Sequence, residues 1–197
     1  MSDYRDLLLK GINIHRTSSE LTEMDWEFIN EHKKLSVEFM REFKENVSWY
    51  NISRYTSLSE ETIKEFRNDV NWYNISEHQI LSEKFIREFE DDVSWDRISR
   101  KQTLSENFIR EFKHRVVWLY ISETQKLSDE FLLKFQNDIF WPRYFTNQPA
   151  SFSIMKKFIK NIRFKDRNDF ISSHLNESEI TKIEKILALK KIFSNKA

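Results

Sequence analysis

The chain has 197 residues, which is enough for one domain with a sizeable core. Its 32 Lys and Arg balance its 32 Asp and Glu, and this neutrality argues against a protein that binds nucleic acid over its whole surface. The absence of cysteine excludes disulfides and Cys-ligated metals, and the single Gly and two Pro exclude most hairpin-rich β folds and phosphate-binding glycine loops.

The N-terminal segment, residues 1–34, predicts a degenerate cap unit of a repeat protein. Its opening, MSDYRDLLLKGINIHR, has a three-Leu apolar run and no small-residue cleavage site, so we expect no signal peptide. No stretch of the chain approaches about 18 uninterrupted apolar residues, so we expect no membrane span and a cytoplasmic location. Trp26 and Ile29 fit the repeat columns described next, whereas Arg16 and Glu20 stand where phenylalanines belong.

Residues 35–149 repeat one pattern of 23 residues five times without an insertion. LSEKFIREFEDDVSW, for example, returns almost unchanged as LSENFIREFKHRVVW. Such periodicity predicts stacked structural units. The apolar columns are Leu35, Leu58, Leu81, Leu104 and Leu127; Phe43, Phe66, Phe89, Phe112 and Phe135; Val47, Val70, Val93, Val116 and Ile139; Trp49, Trp72, Trp95, Trp118 and Trp141; and Ile52, Ile75, Ile98, Ile121 and Tyr144.

The third repeat, Leu81–Thr103, predicts a helical hairpin. Ser82 is a natural N-cap for a first helix of roughly ten residues, whose apolar positions form one stripe. Glu83 and Arg87 form an i,i+4 pair in the favourable orientation. A turn near Asp91–Ser94 then leads to a second helix of roughly eight residues that begins at Trp95.

The predicted fold class is all-α: an α-solenoid of 23-residue helical-hairpin repeats in a single domain. A lone hairpin cannot bury its aromatic stripe, whereas stacked copies can. A leucine-rich repeat has an overlapping period, but its alternating strand pattern is missing. Residues 150–172 read as a degenerate repeat, and residues 173–197 as a C-terminal capping helix with one apolar face.

The motifs LSEKFIREF, VSWDRIS and LSENFIREF resemble a helical repeat found in proteins of giant and other large DNA viruses. The resemblance covers Leu35 to about Trp141. It implies a helical repeat protein of viral type and implies no reaction. The first and fifth repeats depart from the pattern, because Val37 replaces the first-turn Glu and Leu133 replaces the Arg.

Several polar columns permit either a chemical or a structural interpretation. A serine nucleophile needs a base and an oxyanion hole, so small residues at close helix approaches explain the serine column better. Paired carboxylates can perform acid–base catalysis, but a ladder of ion pairs explains the acidic column beside the basic one. These columns are Ser53, Ser76, Ser99 and Ser122; Glu42, Glu65, Glu88 and Glu111; and Arg41, Lys64, Arg87 and Arg110.

Aromatic and histidine columns are interpreted in the same way. The tryptophans could stack nucleic-acid bases, but each shares a stripe with an Ile, which favours a core position. His32 and His78 occupy one column two repeats apart, about 20 Å given the packing distance of helices, which is too far for a shared metal. We therefore predict no catalytic residue, no cofactor and no metal site.

Positions that vary between repeats are the predicted partner contacts, because constant columns hold the stack together. Tyr and Arg are enriched among interface hot spots, and ordinary solvated surface is the alternative interpretation. The predicted contact residues are Tyr50, Arg54, Tyr73, His78, Arg97, Arg100 and Tyr120.

The C-terminal end of the chain is basic. From Ser151 onward, 11 Lys and Arg face 5 Asp and Glu. A cluster there could contact phosphate or an acidic partner; it comprises Lys156, Lys157, Lys160, Arg163, Lys165 and Arg167.

Taken together, the sequence predicts a non-catalytic protein–protein interaction scaffold. With the viral resemblance, the partner is a host factor that the protein binds or blocks in the host cytoplasm. The alternative is a nucleic-acid-binding protein that uses the basic C-terminal region.

Overall fold

The computed structural model describes residues 35–158, in which there are α-helices and no strands. The all-α prediction is confirmed for this range, and the leucine-rich alternative, which needs strands, is wrong there. The helices are α1 (Val37–Glu42), α2 (Trp49–Tyr55), α3 (Glu60–Glu65), α4 (Trp72–His78), α5 (Glu83–Glu88), α6 (Trp95–Lys101), α7 (Glu106–Glu111), α8 (Trp118–Thr124), α9 (Asp129–Lys134), α10 (Trp141–Asn147) and α11 (Phe152–Phe158).

Some predictions concern residues outside the described range. They are the N-terminal cap unit (1–34), the later part of the degenerate repeat (159–172), the capping helix (173–197), and four residues of the basic cluster, Lys160, Arg163, Lys165 and Arg167.

Each repeat is a hairpin of a six-residue first helix and a seven-residue second helix. The first helix is shorter than the predicted ten residues. In the third repeat, Phe89 leaves the helical region at φ −115°, ψ 32°. The Phe89 carbonyl then accepts hydrogen bonds from the N–H groups of Asp92 and Val93, both at 3.0 Å, which forms the turn. The apolar stripe stays buried through this turn, which is why its spacing resembled a longer helix.

Serine hydroxyls begin the first helices, as predicted. Ser82 Oγ accepts a hydrogen bond from the Phe85 N–H at 3.1 Å, and the other four repeats share this cap. The second helices are less uniform: Ser48 and Asn71 are side-chain caps, whereas the residues before Trp118 and Trp141 are not. Pro142 lies in the first turn of α10, where a missing N–H costs little.

The predicted apolar columns form the core. Phe, Val and Ile columns are buried in every described repeat, and the first helices add a fully buried position at Ile63, Ile86, Ile109 and Leu132. Ile154 and Phe158 of the degenerate repeat are also buried, where they join Trp141 and Phe145 in one cluster.

Within the described residues the chain divides into two compact units, with the boundary between Ser94 and Trp95. In the first, α2 packs against α4; in the second, α8 packs against both α6 and α10, and α9 against α11. Second helices of successive repeats therefore lie side by side within each unit, which is the arrangement of an α-solenoid.

Candidate interaction surfaces

The serine column connects successive repeats. In the first unit, the fully buried Ser76 donates its hydroxyl proton to the Trp72 carbonyl at 2.7 Å and accepts the Ser94 N–H at 2.9 Å. The donor lies 18 residues further on, at the start of the next second helix. The same connection joins Asn71 to Ser53, Val117 to Ser99 and Phe140 to Ser122. These serines are buried where helices meet, which agrees with the structural interpretation of the column.

A glutamine column, which sequence reasoning missed, makes a second connection. Gln79 follows α4 and donates its side-chain N–H groups to the carbonyls of Ser53 and Thr56, at 3.0 and 2.9 Å. Its side-chain oxygen accepts the Leu58 N–H at 3.0 Å. One buried amide thus holds the end of one repeat and the start of the next. The available signal was recurrence at 23-residue steps, at Gln79, Gln102, Gln125 and Gln148.

The tryptophan column forms aromatic contacts between successive repeats. We call each contact of a Trp with a Phe of the next repeat a Trp–Phe joint. Trp72 stacks on Phe89 with ring centroids 5.2 Å apart, and its indole N–H donates to the Arg67 carbonyl at 3.0 Å. These indoles are half-buried, and only Trp141, at 4% exposure, is fully enclosed among the described repeats. The predicted core position is confirmed for Trp141, whereas the other four tryptophans are half-buried and pack against the Phe column.

Ion pairs form the predicted ladder in the first unit. Arg41 reaches Glu65 of the next repeat at 2.7 Å, and Lys64 reaches Glu88 at 2.7 Å. The hydrogen bond from Arg41 holds the pKa of the Glu65 carboxyl below its ordinary value. All four side chains are more than a third exposed, so each pair contributes at most about 1 kcal/mol. The ladder therefore contributes little to stability.

The positions that vary between repeats lie outward on the second helices of the first unit. Tyr50 and Tyr73 occupy the same column on the adjacent helices α2 and α4, with 51% and 47% of their surface exposed. Arg54 donates to Tyr50 Oη at 3.2 Å, and its guanidinium lies 5.1 Å from the Tyr55 ring centroid. Sequence reasoning missed the Ile80 side chain, which is 96% exposed.

The corresponding candidates of the second unit are less accessible. Arg97 is paired with Asp96 at 3.1 Å and only 20% exposed, and Tyr120 is half-buried. Arg100 is exposed, with its guanidinium 5.5 Å from the Tyr120 ring centroid. Arg100 and Tyr120 therefore come together, whereas Arg97 is less exposed than Arg100.

The remaining candidates stay predictions. His78 is exposed at the end of α4. Lys156 and Lys157 are exposed on α11, with the Lys157 ammonium 5.2 Å from the Phe158 ring centroid. Among residues 35–158 no cluster of three or more His, Asp or Glu is arranged to hold a metal ion, and none of the helices in this range could span a bilayer.

The chain matches no protein-family model, no curated protein sequence and no solved structure. The resemblance to viral repeat proteins therefore rests on the repeat motif alone and remains a prediction.

Proposed function

We propose that the protein is a non-catalytic scaffold that binds another protein through the exposed side chains of its second helices. The observation that supports this is that the constant columns and the variable columns have different contacts. Constant Ser, Gln, Trp and Phe residues contact neighbouring repeats, whereas the variable positions carry exposed tyrosines. Binding specificity belongs to positions that the stack does not use.

The best candidate is the tyrosine surface of the first unit, which we define as Tyr50, Arg54, Tyr55, Tyr73 and Ile80. Tyr has a large ring and few rotatable bonds, so ordering it on binding costs little entropy. Arg54 already contacts the Tyr50 hydroxyl and the Tyr55 ring, which reduces what it loses when a partner binds. These features suit a protein partner whose surface presents apolar groups beside a hydrogen-bond acceptor.

The viral resemblance of the repeat supports a host protein as the partner and the host cytoplasm as the place of action. Binding would then occupy or recruit that protein, and no covalent bond would be made or broken.

The test compares partner capture by the full chain with capture by the double variant Tyr50→Ala, Tyr73→Ala. We expect at least a tenfold loss of affinity, because two aromatic anchors are removed from the centre of the surface. The matched control is Asn68→Ala, Lys84→Ala, which changes two exposed residues on the first-helix side of the same unit. Circular dichroism of both variants establishes that they fold.

Equal capture by both double variants would exclude the tyrosine surface. Capture of nucleic acid that falls steeply with salt, and that requires Lys156, Lys157 and the basic residues after them, would favour the nucleic-acid alternative instead.

A further inference from the structure

The acidic column is interrupted in the fifth repeat. Position by position it reads Glu42, Glu65, Glu88, Glu111 and then Lys134. In the first unit, the residue at this position accepts an ion pair from the preceding repeat, as in Lys64 with Glu88. The corresponding residues in the second unit are Arg110 and Lys134, two cations. The two positions that form an ion pair between repeats in the first unit are therefore both occupied by cations in the second unit.

These residues line one open groove between α7 and α9, which we call the fifth-repeat groove. Its lining residues are Arg110, Lys113, His114, Lys134, Phe135 and Asp138. The groove thus has three permanent cations, a histidine and one carboxylate, over a largely buried phenyl ring.

Two of the three cations in the groove form no salt bridge among the described residues. Arg110 is held near Glu106 at 3.3 Å, with its guanidinium 5.3 Å from the Phe131 ring centroid. Within residues 35–158, neither Lys113 nor Lys134 forms a salt bridge. By contrast Arg67, the counterpart of Lys113 two repeats earlier, pairs with Asp92 at 2.7 Å.

We propose that the fifth-repeat groove binds a short acidic segment of a partner protein, with two or three carboxylates. The two unpaired ammonium groups and the guanidinium provide complementary charge, and the Phe135 ring can contact the methylenes of a Glu side chain. This contact lies on the first-helix side of the second unit, so it adds a partner chemistry to the proposed scaffold function without requiring the tyrosine surface.

A short peptide fits this surface better than a long polyanion. Exposed carboxylates lie on the same two helices, at Glu111, Asp129 and Glu130, and Asp138 lies in the groove itself. A nucleic-acid strand that continued past the groove would meet all of these carboxylates, whereas a segment confined to the groove would face Asp138 and the three cations.

The test is a titration of the isotope-labelled full chain with the acetylated peptide Glu-Glu-Asp-Glu, followed by amide chemical shifts in nuclear magnetic resonance. We expect saturable shifts for residues 110–114 and 134–138, and none with the neutral peptide Gln-Gln-Asn-Gln. Lys134→Glu restores the charge pattern of the first unit, so it should keep the fold and weaken binding about tenfold.

The reverse substitution in the first unit tests whether two facing cations are enough to bind the acidic peptide. Glu88→Lys places a cation opposite Lys64, so shifts with the acidic peptide should arise around residues 64–68 and 88–92. Circular dichroism checks its fold.

Three outcomes would overturn the proposal. They are equal binding by the parent protein and Lys134→Glu, tighter binding of a short oligothymidylate than of the acidic peptide, and a change of oligomeric mass on Lys134→Glu that identifies a second copy as the occupant.

Discussion

In the second, third and fourth repeats a single buried hydroxyl satisfies two backbone groups at once. Ser76 donates to the Trp72 carbonyl and accepts the Ser94 N–H, which is otherwise left without an intrahelical partner at the start of a helix. Removing such a hydroxyl destabilises the folded chain, because the remaining N–H is shielded from water and has no acceptor. Alanine keeps the helix propensity of the position and deletes only these bonds, so it isolates their contribution.

We predict that Ser76→Ala lowers the free energy of unfolding by about 1–3 kcal/mol, because the half-buried Ser94 N–H loses its acceptor. Urea denaturation measures the change. Ser57→Ala is the control, because Ser57 is exposed and should stay within about 0.5 kcal/mol of the parent protein. A loss of similar size in both variants would argue against the inter-repeat hydrogen bond.

Tyr144 makes the second unit sensitive to alkali. Burial, and secondly the charge of Asp129, raise the pKa of Tyr144 to about 12 from an ordinary value of 10.0. A raised folded-state pKa means that the stabilisation is complete below pH 10 and is lost as the pH rises towards 12, because the unfolded chain releases the proton first.

We therefore expect the stability advantage of the parent protein over Tyr144→Phe to shrink as the pH rises from about 10 to about 12. Urea denaturation at each pH measures it, and tyrosinate absorbance follows the ionisation. Tyr73→Phe controls for removal of a tyrosine from an exposed position. A pH-independent difference between the parent protein and Tyr144→Phe would contradict the expectation.

The helices are too short to be stable alone. Isolated helices of fewer than about 12–15 residues are marginal in water, and these have six or seven. Serine caps and the glutamine amide satisfy the backbone groups at their ends, and the Trp–Phe joints bury their apolar faces. Each helix therefore depends on its neighbours in the next repeat, and the joint is the unit of stability.

Two joints of different burial give a matched comparison. Trp141 is fully enclosed and stacks on Phe158 with centroids 3.9 Å apart, whereas Trp118 is half-buried and lies 5.3 Å from Phe135. We predict that Trp141→Ala costs about 4 kcal/mol and Trp118→Ala about 2 kcal/mol, because the enclosed ring loses more contacts. Leu133→Ala, at an exposed position, is the control. Denaturation curves that rank the two tryptophans in the opposite order would refute the assigned burial.

At the scale of the whole molecule, periodicity determined how much the sequence could predict. The fold class, hairpin turn and serine caps followed from residues that recur every 23 positions, because each must fit the same environment in every repeat. The first-helix length did not follow, since the Phe89 turn continues the apolar stripe beyond Glu88. The fifth-repeat groove was not predicted, because the only sequence signal is that Lys134 replaces the glutamate of the acidic column. The resulting positive charge is recognisable only when the structure shows that Lys134 and Arg110 line the same groove.

Residues that form hydrogen bonds or ion pairs between adjacent repeats are separated by fixed numbers of residues. A whole repeat can therefore be deleted without changing these separations. The serine bond spans 18 residues, the ion pair 24 and the glutamine bonds 23 and 26, each measured to the adjacent repeat. Deleting residues 58–80 joins Ser57 to Leu81 and restores every offset, so Ser53 meets Ser94 in place of Asn71. We expect this variant to keep its helix content per residue and to unfold cooperatively at a lower temperature, because one inter-repeat interface is lost.

Deleting residues 58–69 provides the contrast, because it removes only the first half of the repeat. The second helix α2 is then followed directly by the second helix α4, where a first helix belongs. The 18-residue offset between Ser53 and Asn71 is lost, and Trp49 no longer has Phe66 to pack against. We expect loss of helix content and of a cooperative thermal transition, measured by circular dichroism. If the half-repeat deletion were as stable as the full-repeat deletion, the contacts between repeats could not be what holds these short helices in place.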